Sequence, residues 1–81
     1  MLKKEQNDLL EYLSKQMGGS AGEAVLVNYL ELYNKNNGES LTLEEFLEPM
    51  AQEGYLDNGG FAFRKSATIT RDGRKYVKTL D

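Results

Sequence analysis

Glu44, Glu45 and Glu48 fall within about one helical turn and come closest to a chemical constellation in this chain. Carboxylates at that spacing are the hard oxygen ligands that a calcium or magnesium ion takes. No loop of alternating oxygen ligands accompanies them, so they read as an exposed acidic helix face. Asp57-Asn58-Gly59-Gly60 lacks the terminal Glu of a calcium loop and reads as a turn. Gly18-Gly19-Ser20-Ala21-Gly22, ahead of a helical pattern, would offer N–H groups to a phosphate. It lacks the Lys and Ser/Thr that phosphate loops add, so cap and linker is the reading preferred. The 81 residues contain no histidine and no cysteine. That removes the commonest general base, the commonest metal ligand and any thiolate or disulfide. No serine sits in a nucleophile-elbow pattern. The chain therefore reads as a non-enzyme with no cofactor and no metal.

Charge is the remaining chemical signal. Residues 1–60 carry four lysines against eleven carboxylates, a balance of −7. Residues 61–81 carry Arg64, Lys65, Arg71, Arg74, Lys75 and Lys78 against two aspartates, a balance of +4. Such asymmetry suits a basic surface that meets an anion, or a dipolar molecule that meets a partner. The bland alternative is a solvated strand and helix whose charges serve solubility.

The elements that must position these residues are legible in part. One domain over residues 1–81 is expected, with a single small core. Leu2, Leu9, Leu10, Leu13 and Met17 recur at helical spacing and predict a helix over about residues 2–17, stopped by Gly18-Gly19. Ser20-Ala21-Gly22-Glu23 reads as a capping box opening a second helix to about Asn36. That helix is apolar over most of its circumference (Ala24, Val25, Leu26, Val27, Tyr29, Leu30, Leu32, Tyr33), so it is expected at the centre of the fold. Thr42-Leu43-Glu44-Glu45 is a second capping box, with Leu43, Phe46, Leu47 and Met50 inward and Pro49 expected to kink or divide the helix. Asn58-Gly59-Gly60 is hairpin chemistry, and the odd-numbered Phe61, Phe63, Ala67 and Ile69 predict a half-buried strand that Lys65 interrupts. Thr70 then caps a last helix with Tyr76, Val77 and Leu80 on its inner side. The fold class expected is α+β.

With that order, Leu47 to Leu56, ending Glu53-Gly54-Tyr55-Leu56, and then Ile69-Thr70-Arg71-Asp72-Gly73-Arg74-Lys75-Tyr76 resemble the winged helix-turn-helix superfamily. They look most like its small regulators of the multiple-antibiotic-resistance (MarR) and phenolic-acid-regulator (PadR) types. The resemblance covers the second half of the chain. It implies three helices, a β-hairpin wing at residues 55–70 and a short C-terminal helix, with the helix near Thr42–Glu53 in the recognition position. A transcription regulator of this kind contacts double-stranded DNA. Here Arg64, Lys65, Arg71, Arg74, Lys75 and Lys78 are the residues expected to neutralise phosphates. The recognition-position helix itself brings carboxylates, since no Lys or Arg occurs from Asn36 to Phe63. The alternative is a winged-helix module that binds another protein and no DNA.

The start has no apolar run of the kind a signal peptide carries, and no stretch reaches the ~20 apolar residues of a membrane span. A cytoplasmic protein with no membrane partner is the expectation. A homodimer through the first helix (Leu2, Leu9, Leu10, Tyr12, Leu13, Met17) is expected as well, because small domains gain from burying more apolar surface.

Overall fold

A computed structural model describes residues 1–58 and 65–80. Helix α1 (Lys4–Lys15) leads through a 3-10 turn at Met17–Gly19 into strand β1 (Ser20–Gly22). Helices α2 (Glu23–Asn37) and α3 (Leu43–Gln52) follow, then β2 (Leu56–Asp57), β3 (Ser66–Ile69) and α4 (Arg71–Lys78). The sheet is antiparallel with order β1-β3-β2. The chain is thus α+β, with four α-helices and a three-stranded sheet among the described residues.

Helix α1 takes the centre that the sequence assigns to α2. Leu9, Leu10 and Leu13 are fully buried, and α1 contacts α2, α3, α4 and β3. Around it pack Leu2, Leu26, Leu43, Phe46, Leu47, Met50, Leu56, Ala67 and Ile69. Of α2 only Leu26 is buried; Leu30 and Tyr33 are half-buried and Leu32 is 51% exposed. Composition told how much of α2 is apolar but not which side the rest of the fold covers.

Local hydrogen bonds explain where the elements begin and end. Thr42 Oγ1 accepts from Glu45 N–H at 3.2 Å while Glu45 Oε1 accepts from Thr42 N–H at 2.8 Å, the reciprocal box expected. The box expected at Ser20 does not form. Ser20 is the first residue of β1, its hydroxyl bonds to Thr68 across the sheet, and Gly22 caps α2 without a side chain. A serine followed three residues on by Glu serves a strand as readily when β3 offers an unpaired edge. Pro49 leaves α3 continuous to Gln52; its missing N–H frees a carbonyl on the exposed side. Lys65 has φ of 53°, so the chain bends there before β3 begins. The remainder of the expected hairpin, residues 59–64, lies outside the described residues, as does Asp81.

One buried carboxylate links the two ends of the α1–α2 pair. Glu5, 7% exposed, accepts from Asn36 Nδ2 at 2.9 Å and from Asn37 Nδ2 at 3.2 Å. The Asn36 amide lowers its pKa below the ordinary 4.5, against the opposing effect of burial. The folded state therefore binds fewer protons than the unfolded state. The stability this confers is present above pH 4.5 and is lost as pH falls through the lowered folded value. Urea midpoints should fall from about pH 5 to about pH 3, and Glu5→Gln should flatten that fall. An unchanged slope in Glu5→Gln would remove Glu5 from the acid response.

Candidate functional site

The two motifs that carry the sequence resemblance pack directly on each other, and the reason is structural. Thr70 Oγ1 accepts from Gly73 N–H at 3.0 Å and donates to Gly54 O at 2.6 Å. Thr70 N–H donates to Tyr55 O at 3.0 Å. The ring of Tyr55 stacks on Tyr76 with centroids 4.3 Å apart, and the Tyr76 hydroxyl donates to Asn7 Oδ1 at 2.6 Å. This clasp fixes α4 against α1 and β2, with Gly73 buried and Tyr76 and Val77 turned inward. A Cβ at Gly73 would stand 2.2 Å from Tyr55 O, so only glycine allows the approach.

The clasp sets the outward row of α4. Arg71, Lys75 and Lys78 follow at intervals of four and three, all exposed, and so form one stripe. Arg74 is different. Its Nη1 donates to Ser14 O at 3.0 Å, satisfying a carbonyl in the last turn of α1, and its guanidinium lies over Gly19. Arg74 thus adds a structural contact while remaining exposed beside the row. Lys65 stands beyond the far end of β3, roughly 20 Å along the chain from Arg71 at ~3.3 Å per strand residue. Arg64 lies outside the described residues. Of the six cations expected to act together, Arg71, Arg74, Lys75 and Lys78 share the exposed side of α4, with Arg74 also bonded to Ser14 O.

The outward face of α3 carries Glu44, Glu45 and Glu48, with Gln52 one turn on, and the C-cap Glu53 follows, all exposed. Glu45 is tied into its capping box, whose bonds from Thr42 lower its pKa. Glu48 accepts from Gln52 Nε2 at 3.1 Å. Lys4 and Asp8 form an ion pair on α1 at 2.8 Å. The arrangement does not converge on a metal site: among the described residues no three carboxylates could hold an ion together. Beside this face an open hollow of about 340 Å³ lies between the starts of α2 and α3. Val27 and Leu43 supply its apolar wall, and Glu23, Glu44, Thr42 and Lys65 its polar rim. Sequence patterning could not reveal this hollow, which depends on how the two helix starts and the turn before β3 meet.

The homodimer face expected on α1 is mostly absent. Leu2, Leu9, Leu10 and Leu13 are all buried in the chain's own core. Only Tyr12, half-buried beside Tyr29 with centroids 6.0 Å apart, and the exposed Met17 remain available. No helix among the described residues is long and apolar enough to cross a membrane. No protein-family model, curated protein or solved structure matches this chain, so its functional reading rests on its own residues.

Proposed function

We infer that this chain is a small winged-helix module that docks a protein, and that the outward face of α3 receives a cationic surface of that partner. The fold part of the reading is supported by element order and by the strand order β1-β3-β2, with β1 between the first two helices. The observation that carries the function is the row Glu44, Glu45 and Glu48, exposed on the helix that a winged helix would lay in a DNA groove. Phosphates repel such a face, whereas Lys and Arg side chains of a protein are drawn to it. The neighbouring hollow adds relief and apolar wall, which a specific contact needs beyond charge.

An Arg/Lys-rich peptide should therefore bind the chain in a salt-dependent manner, read by fluorescence anisotropy. Glu44→Gln with Glu48→Gln should weaken that binding about tenfold, each exposed pair contributing up to ~1 kcal/mol. Equal binding by this variant would take α3 out of the contact.

A second reading is double-stranded DNA held along α4, and the exposed row Arg71, Lys75 and Lys78 favours it. Three phosphate contacts give modest affinity with a shallow salt slope, near −0.9 per phosphate neutralised. Lys75 and Lys78 also sit where lysine suits the negative end of any helix, which accounts for them without a ligand.

A further inference from the structure

The least explained surface is the seam between α1 and α2. Helix α2 has apolar residues on more sides than the fold covers: Leu32 is 51% exposed, and Val25 and Tyr29 are only half-buried. Across the seam stands Tyr12, packed against Tyr29. The two helices run antiparallel, since Glu5 at the start of α1 bonds Asn36 at the end of α2 while Tyr12 meets Tyr29 midway.

We propose that this seam is a self-association surface, covered by the same seam of a second copy related by a two-fold axis through the Tyr12–Tyr29 pair. The spacing of residues about that pair selects a second copy as the occupant. Val25 and Leu32 lie four residues before and three after Tyr29. Asp8 and Lys15 lie four residues before and three after Tyr12. A two-fold axis through the tyrosines exchanges the ends of the seam. It sets Val25 of one copy near Leu32 of the other, and Asp8 near Lys15. Isologous contacts require this pattern, in which each patch carries its own complement on opposite sides of the axis. The aromatic pair then occupies the centre, where interface energy concentrates, and the charges fall at the rim. Asp8 already pairs with Lys4 at 2.8 Å, but the pair is exposed and exchanges partners at little cost.

This surface is separate from the α3 face, so either can fail alone. Sedimentation equilibrium at high micromolar concentration should give twice the monomer mass of 9.2 kDa. Leu32→Lys should return the chain to monomer with unchanged thermal unfolding of the monomer, because Leu32 is outside the core. Asp8→Lys and Lys15→Asp should each weaken the dimer by roughly fivefold, and the double reversal should restore it. A monomeric wild type, or a dimer indifferent to Leu32→Lys, would overturn the proposal. A dimer lost with Leu32→Lys but not rescued by the double charge reversal would overturn the two-fold register.

Discussion

Gly73→Ala is expected to cost about 3 kcal/mol or more. The added Cβ would lie 2.2 Å from Tyr55 O and 2.7 Å from Ile69 Cγ1. The first of these is backbone, and the same carbonyl is held by Thr70 N–H at 3.0 Å, so it has no free direction to retreat. Relief requires α4 to lift from β2, which unstacks Tyr55 from Tyr76 and strains the Tyr76–Asn7 bond. A domain of this length has only about 4–12 kcal/mol in total, so the loss is a large fraction of it. Gly38→Ala is the comparison. Gly38 has φ of +63° and open space around it, so alanine there meets only the left-handed penalty of about 1 kcal/mol. Urea unfolding of both variants measures the difference. A Gly73→Ala loss no larger than that of Gly38→Ala would mean the clasp yields readily.

Phe46→Ala is the second large loss, about 3–5 kcal/mol. Its ring is fully buried against α1 and meets Tyr33 edge-on at 5.4 Å. Its backbone carbonyl also accepts from the buried Gln6 Nε2 at 2.9 Å, so a collapse around the cavity is resisted by a buried hydrogen bond. Leu10→Ala on α1 should cost about 2–5 kcal/mol, while Leu32→Ala in the monomer should stay within about 0.5. Denaturant midpoints rank these variants directly. A Leu32→Ala loss comparable with Leu10→Ala would restore α2 to the centre of the fold.

That ranking marks where reading the sequence succeeds and where it stops. Thr42 with Glu45, and Thr70 before α4, announce helix starts because both partners of each bond are a few residues apart. The alternation of Ala67 and Ile69 with Ser66 and Thr68 is likewise local, and β3 shows it. Ser20 misleads because its choice between capping α2 and pairing with Thr68 depends on a strand 48 residues away. The centrality of α2 misleads for the same reason, since periodicity counts apolar faces and tertiary packing decides which are covered.

The candidate site follows the same division. The acidity of α3 is plain in the sequence, because residues 43–53 contain every carboxylate involved. The surroundings of the individual basic residues are less plain, since adjacent numbers do not fix what each side chain touches. Arg74 turns to Ser14 O, and β3 separates Lys65 from Arg71. The hollow between α2 and α3 has no local signature at all.

Chemical-shift mapping on nitrogen-15-labelled chain tests the central claim most directly, with an Arg-rich peptide and a mixed-sequence duplex titrated separately at about 50 mM salt. Docking of a cationic partner on α3 predicts that the peptide moves amides of residues 43–53, centred on Glu44 and Glu48. The duplex then leaves that helix unmoved. Peptide-induced shifts absent from α3, with duplex-induced shifts along residues 71–78, would contradict it and assign the binding to α4.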